Sequence, residues 1–77
     1  MTDYLENFDK IHTTAGGQIR IAKNLSIPPA MVMNTCLAII RRGHVTRRGK
    51  NYYACANGIT VTIHAGSLTI ITAHREK

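Results

Sequence analysis

Four histidines, His12, His44, His64 and His74, are the side chains of this sequence best suited to chemistry near neutral pH. An imidazole has an unperturbed pKa of about 6.5, so it both takes and gives protons in that range. Their setting is unusual. Asp3, Glu6 and Asp9 precede Lys10, Glu76 follows Arg75, and no carboxylate lies between. Over that interval run Lys10, Arg20, Lys23, Arg41, Arg42, Arg47, Arg48, Lys50 and Arg75, and the 77-residue chain carries a net charge of +6. Metal-free RNA cleavage needs this inventory. A base takes the 2′-hydroxyl proton, an acid protonates the leaving oxygen, and cations or N–H groups hold the phosphate. The missing carboxylates exclude paired-carboxylate glycosidase chemistry, most carboxylate-held metal sites and a Ser-His-Asp triad.

The candidate catalytic residues are His12, Arg20, Thr72 and His74, with Thr13, Thr14, Gly16, Arg47, Arg48 and Lys50 as candidates for holding phosphate. His12 opens a helix whose N-terminal N–H groups, with Gly16 and Gly17, can receive an anion. Arg20 follows two turns along, and Lys50 sits by a turn. No metal and no cofactor is expected. Each residue also has a plainer reading. Thr13 and Thr14 can simply cap a helix, Thr72 can be a strand former, His74 a terminal residue, and Arg20 and Lys50 solvated charges. His44 reads as structural or surface. His64 reads as lining an open sheet face with Tyr53, there to stack on RNA or to do nothing.

The elements that must position these groups follow from periodicity. Thr2 can cap a short helix reaching Asn7, laying Tyr4, Leu5 and Phe8 over the core, with Asp3 and Glu6 at its positive end. Thr13 or Thr14 caps a second helix, in which Ala15, Ile19, Ala22 and Leu25 recur at helical spacing. Pro28-Pro29 breaks the chain, and Pro29 suits the first turn of the next helix. Val32, Met33, Cys36, Leu37 and Ile40 form its apolar stripe, Arg41-Arg42 favour its negative end, and Gly43 ends it.

Four strands are expected after that, at about His44–Arg47, Asn51–Ala56, Gly58–His64 and Ser67–Arg75. Arg48-Gly49-Lys50 and Asn57-Gly58 supply the first two turns, and Ala65-Gly66 a two-residue third. That third turn sets Ile63 opposite Leu68 and Val61 opposite Ile70. Strict alternation along the last strand then puts Leu68, Ile70 and Thr72 on one greasy face ending at Thr72 and His74, within reach of His12. The predicted fold is α+β: one domain over 1–77, two to three N-terminal helices packed on one face of a four-stranded antiparallel β-meander. A chain of this size buries about 60–65% of its unfolded surface, so the core is thin.

The motifs IHTT, RIAKNL, RRGKNYY, ITV and TIITAHR, in that order, resemble a small bacterial family of uncharacterised function, over roughly Lys10–Leu25 and Val45–Arg75. More distantly, N-terminal helices bearing a histidine, then a four-stranded meander ending in an ITA strand, resemble the barnase, colicin D and RelE-like toxin ribonucleases. That second resemblance implies RNA cleavage, often of tRNA, held off by an immunity protein or antitoxin.

Two functions follow. The first is a small basic RNA-targeting protein, a metal-independent toxin-type endoribonuclease. The second is a non-enzymatic module that binds nucleic acid or protein through the same positive charge, such as a phage-encoded inhibitor. The chain shows no run of apolar residues long enough to span a membrane, its acidic N-terminus does not resemble a signal peptide, and a cytoplasmic location is the expectation, favoured by the apolar setting of its two cysteines. Cys36 and Cys55 are too few for a disulfide scaffold, sit among apolar residues and read as buried thiols.

Overall fold

A computed structural model describes residues 8–76, and the short helix expected over Thr2–Asn7 lies outside them, as does the side chain of Phe8. Two α-helices precede four strands: α1 is Ala15–Leu25, α2 is Val32–Arg42, β1 is His44–Arg48, β2 is Asn51–Ala56, β3 is Ile59–His64 and β4 is Ile70–Arg75. The strands form one antiparallel sheet in the order β1-β2-β3-β4. α1 lies along β4 and α2 across β2 and β3, so both helices cover one face. The α+β meander read from the sequence is the architecture found.

Thr14 is the N-cap of α1, its hydroxyl accepting the Gly17 N–H at 3.0 Å. The buried stripe of α1 is Gly17, Ile21, Ala22 and Leu25, and Ile19 is 64% exposed. Spacing alone suits Ile19 to that stripe, but Ile21, beside Ala22, fills the core instead. In α2 the buried residues are Val32, Cys36, Ile39 and Ile40, with Met33 and Leu37 partly buried. Gly43 ends α2 in an extended conformation. A Cβ there would stand 2.5 Å from the carbonyl oxygens of both Ile39 and Cys55, so glycine is required by the close approach of β2.

The turns follow their residues. Gly49 has φ +60° in the two-residue turn closed by the Arg48–Asn51 pair, the conformation glycine supplies without a Cβ clash. Asn57 (φ 53°) and Gly58 (φ 74°) both take positive φ between β2 and β3. The third connection departs from expectation. The His64 N–H donates to the Thr69 carbonyl and the Leu68 N–H to the His64 carbonyl, both at 2.8 Å, so the loop holds residues 65–68 and not two. Ile63 then faces Ile70 and Val61 faces Ala73. Leu68, φ 58°, turns the chain from a conformation that costs a bulky side chain energy. Its burial in the core offsets that cost.

A second departure matters more. Ile63 pairs with Ile70 and the adjacent Thr62 pairs with Thr72, so Ile71 is an extra residue in β4. Such a bulge reverses the alternation beyond it. Ala73 therefore enters the core, while Thr72 and His74 turn to the face away from the helices.

The helix-facing side consists of three cross-strand rows: Ala56, Ile59 and Arg75; Val45, Ala54, Val61 and Ala73; and Arg47, Tyr52, Ile63 and Ile70. Ile63 and Ile70 are fully buried, each worth about 1.5–3 kcal/mol relative to exposure. The outer edge of β4 is satisfied by α1 and by the residue before its cap. Thr13 Oγ1 donates to the Ile70 carbonyl at 3.0 Å and Asn24 Nδ2 to the Ala73 carbonyl at 3.2 Å. In return Arg75 Nη2 donates to the Leu25 carbonyl at 2.9 Å, where α1 ends. Among the described residues, no helix is long and apolar enough to cross a membrane.

Candidate active site

The open face of the sheet follows from the register, because directly paired residues point to the same side. One row is His44, Cys55, Thr60 and His74; the next is Thr46, Tyr53, Thr62 and Thr72; the third is Arg48, Asn51 and His64. His12 extends the third row. It forms a parallel bridge with Thr69, donating its N–H to the Leu68 carbonyl at 3.1 Å and accepting from the Ile70 N–H at 2.6 Å. All four histidines thus stand on one face, opposite the helices.

The third row is a continuous hydrogen-bonded chain. His12 Nε2 lies 3.2 Å from Thr69 Oγ1, Thr69 Oγ1 lies 2.8 Å from Ser67 Oγ, and Ser67 Oγ lies 3.3 Å from His64 Nδ1. His12 Nδ1 is 2.9 Å from the Lys10 carbonyl, and the Ser67 N–H donates to His64 Nδ1 at 3.2 Å. These last two contacts fix the proton positions. A carbonyl only accepts, so His12 carries hydrogen on Nδ1 and offers the lone pair of Nε2. A backbone N–H only donates, so neutral His64 accepts at Nδ1 and carries its hydrogen on Nε2. With both rings neutral, the two hydroxyl hydrogens serve two of the three contacts in the row; a proton on His64 Nδ1 supplies the third, Ser67 Oγ then accepting from it, and ends acceptance from the Ser67 N–H. The two imidazoles are two strand spacings apart, about 10 Å at the backbone.

His12 and His74 are not brought together. His74 stands opposite Thr60, five residues beyond Thr69 and on the order of 15 Å along β4. Thr72 lies between them on the open face, half-buried. The strained Leu68 supplies the carbonyl that holds His12. Thr13 and Thr14 have their hydroxyls committed to the Ile70 carbonyl and the Gly17 N–H. At Gly16 a Cβ would meet nothing within 4 Å, whereas at Gly17 it would meet Thr13 Oγ1 at 2.6 Å. The close approach anticipated at this glycine pair is thus an internal one at Gly17.

The cations divide in the same way. Arg48 ends the histidine row, and Lys50 is exposed at the adjoining turn, its carbonyl accepting the Ala65 N–H at 2.8 Å. Arg47 lies on the helix side, 5.2 Å from the Tyr52 ring centre, and donates to the Gly49 carbonyl at 2.9 Å. Arg20 is exposed on α1, in the helix layer. Cys55, expected to be buried, is exposed on the open face, its Sγ 3.3 Å from Thr60 Oγ1, and that hydroxyl donates to the Glu76 carboxylate. Cys36 is buried in α2, and burial pushes its thiol up to about 11. A shallow groove of about 390 Å³ beside Asn34, Leu37, Ala38, Arg41 and Arg42 belongs to α2 and not to the open face. Among the described residues, no three His, Cys, Asp or Glu side chains converge as a metal site.

Sequence reasoning missed His64, Ser67 and Thr69 as a group with His12. The signal was present in HAGSLT, where a histidine, a serine and a threonine flank a turn. Assigning that turn two residues hid the convergence. No curated protein matches the chain, and no solved structure does. Residues 5–74 match the family described as protein of unknown function (DUF3781), and the chain belongs to that family.

Proposed function

We propose that this protein binds RNA on its open sheet face and cleaves it without a metal ion, with His12 as base and His64 as acid. The observation that carries this reading is the hydrogen-bonded row from His12 to His64, with Arg48 at its end and Lys50 beside it. His12 Nε2 takes the proton of a ribose 2′-hydroxyl, Thr69 having yielded its place to the substrate. The oxygen attacks the adjacent phosphorus, the bond from phosphorus to the 5′-oxygen breaks, and His64, in its imidazolium form, delivers its Nε2 proton to the departing 5′-oxygen and is left neutral. Arg48 and Lys50 stabilise the charge that grows on the phosphate. The products are a 2′,3′-cyclic phosphate and a free 5′-hydroxyl.

The resemblance to toxin ribonucleases supports the same reading. It points to tRNA as a substrate, to the cytoplasm, and to an immunity protein or antitoxin as partner. A second reading rests on the shape of the site. The histidine row lies on an open face rather than in an enclosed cavity, which suits a non-enzymatic nucleic-acid- or protein-binding module, a phage-encoded inhibitor among them. Incubation with total tRNA in EDTA separates the two. Fragments ending in cyclic phosphate support the nuclease, intact but retained tRNA supports a nucleic-acid-binding module, and tRNA that is neither cut nor retained removes both and leaves the protein-binding module.

A further inference from the structure

We infer that Tyr53 is a base-stacking platform and that the open face selects single-stranded over duplex RNA, a reading that deepens the RNA-binding role proposed above. Tyr53 occupies the middle row, between the histidine row of His12 and His64 and the row of His44 and His74. Successive rows on one face are about 7 Å apart along the strands, so the three rows form a short track. Among the described residues, Tyr53 is the one tyrosine or phenylalanine on that track: Tyr52 faces the helices and is buried.

The position of its ring is set by its neighbours. Asn51 Nδ2 donates to the Tyr53 hydroxyl at 3.4 Å, and Asn51 is two residues back on the same face. The ring therefore leans along β2 toward the histidine row and does not stand up from the sheet. It is half-buried, flanked across the strands by Thr46 and Thr62. A ring laid down in this way keeps one face against the sheet and offers the other to a base.

Stacking of that kind works on any base, because every base has a π-face, but it requires an unpaired one. Duplex RNA hides its base faces and presents phosphates and 2′-hydroxyls. Cations at the edge of the track, Arg48 and Lys50, follow the strand backbone. Of the threonines that flank it, Thr46 is exposed and Thr62 buried, so the side of the ring toward β1 is the one open to a base. In-line attack by a 2′-hydroxyl also needs a backbone free to leave A-form geometry, which a single strand permits. The platform and the proposed chemistry thus ask for the same substrate class.

The test is binding, independent of cleavage. A fluorescein-labelled RNA of about six nucleotides, the usual scale for single-strand binders, is made uncleavable by 2′-O-methylation and titrated by anisotropy against the full chain. Its duplex form is titrated in parallel. Tyr53→Phe keeps the ring; Tyr53→Leu keeps bulk and strand preference without the π-face. The inference expects the single strand to bind the parent at least tenfold tighter than the duplex. It also expects Tyr53→Phe to bind like the parent and Tyr53→Leu to lose about tenfold, with circular dichroism matching the parent. Equal binding of single strand and duplex, or a folded Tyr53→Leu that binds like the parent, overturns it. Cleavage of unmodified RNA by the parent is scored separately, so the platform and the nuclease can fail independently.

Discussion

His12 and His64 sit at opposite ends of one hydrogen-bonded chain, joined through the hydroxyls of Thr69 and Ser67. The backbone fixes each end, the Lys10 carbonyl at His12 Nδ1 and the Ser67 N–H at His64 Nδ1. In the neutral rings His12 Nε2 is thereby the acceptor and His64 Nε2 the nitrogen bearing hydrogen, and His64 becomes an acid by taking a second proton at Nδ1. If this pair performs RNA cleavage, His12→Ala and His64→Ala each lower the rate by about 10²–10⁴, the range for lost acid–base catalysis. His74→Ala, in a row farther along the sheet, weakens binding severalfold and leaves kcat near the parent's. The rate follows a bell in pH and persists in EDTA. A quench-flow or gel assay on tRNA decides it: loss in His74→Ala with full activity in His64→Ala restores the pairing first read from the sequence.

Charge gives the second expectation. Nine cations between Lys10 and Arg75 face solvent with no carboxylate in the same interval to neutralise them locally. Binding to RNA then releases counterions, and log K falls linearly with log salt concentration. Arg48→Ala and Lys50→Ala each reduce that slope by about one if each side chain neutralises a phosphate. Arg47→Ala changes the slope less, because its guanidinium lies by Tyr52 on the helix side. Anisotropy across a salt series measures this. A flat dependence would show that the positive charge is not an RNA footprint.

The bulge at Ile71 makes a third prediction, one of stability. Ala73 is fully buried against Val61, and Thr72 is half-buried on the open face. Ala73→Asp buries an unpaired charge and costs several kcal/mol, enough to unfold a small domain. Thr72→Asp leaves its charge at solvent and costs about 1 kcal/mol or less. Strict alternation along β4 predicts the reverse order. Urea midpoints of the two variants settle which residue faces the helices.

That pair also marks how far the sequence could be read. The strand segments, the Asn57-Gly58 turn, a cap at Thr13 or Thr14 and α2 are local: a few neighbouring residues determine each, and each is legible, with the choice of Thr14 left to the structure. The bulge is not local. Ile70, Ile71, Thr72 and Ala73 are all acceptable strand residues, and only the fit of Ala73 beneath α1 and against Val61 selects the shifted parity. The four-residue loop at 65–68 was missed for a similar reason. Ala65-Gly66 is a sound turn on its own, but burial of Leu68 and its bond to His12 reward the longer path. His12 was found as a candidate from its type and place. The closeness of His12 and His74 expected from strict alternation is not found, because the bulge reverses the face of Thr72 and His74.

The glycine pair at the start of α1 separates a structural role from a functional one. Gly17→Ala drives a Cβ to 2.6 Å from Thr13 Oγ1, which must then rotate away from the Ile70 carbonyl. Losing that bond costs about 1–2 kcal/mol. Gly16→Ala meets open space and gains about 0.5 kcal/mol by restricting the unfolded chain. Thermal melts give both signs. If Gly16→Ala is stabilised yet fails to bind RNA, Gly16 is where a phosphate approaches α1, as the sequence suggested. Unchanged binding would assign the pair to packing alone.

The two thiols make the last prediction. Cys36 is fully buried and its thiol is raised from 9.0 to about 11 by desolvation, whereas Cys55 is exposed on the open face. The thiolate is the reactive form, so a water-soluble disulfide reagent at neutral pH labels Cys55 promptly and Cys36 only after unfolding. The same shift sets a sign for alkaline stability. A folded pKa above the unfolded one means that the unfolded chain holds fewer protons between the two values, so stability falls as pH rises there. The contribution from Cys36 is therefore intact below pH 9.0 and is lost as pH climbs to about 11. Cys36→Ala removes this dependence at the cost of a small cavity, and comparing urea midpoints of parent and variant across that window isolates it. Should both thiols of the folded protein react at equal rates, or should the two pH profiles run parallel, the packing of α2 against β2 and β3 is looser than the buried Cys36 requires.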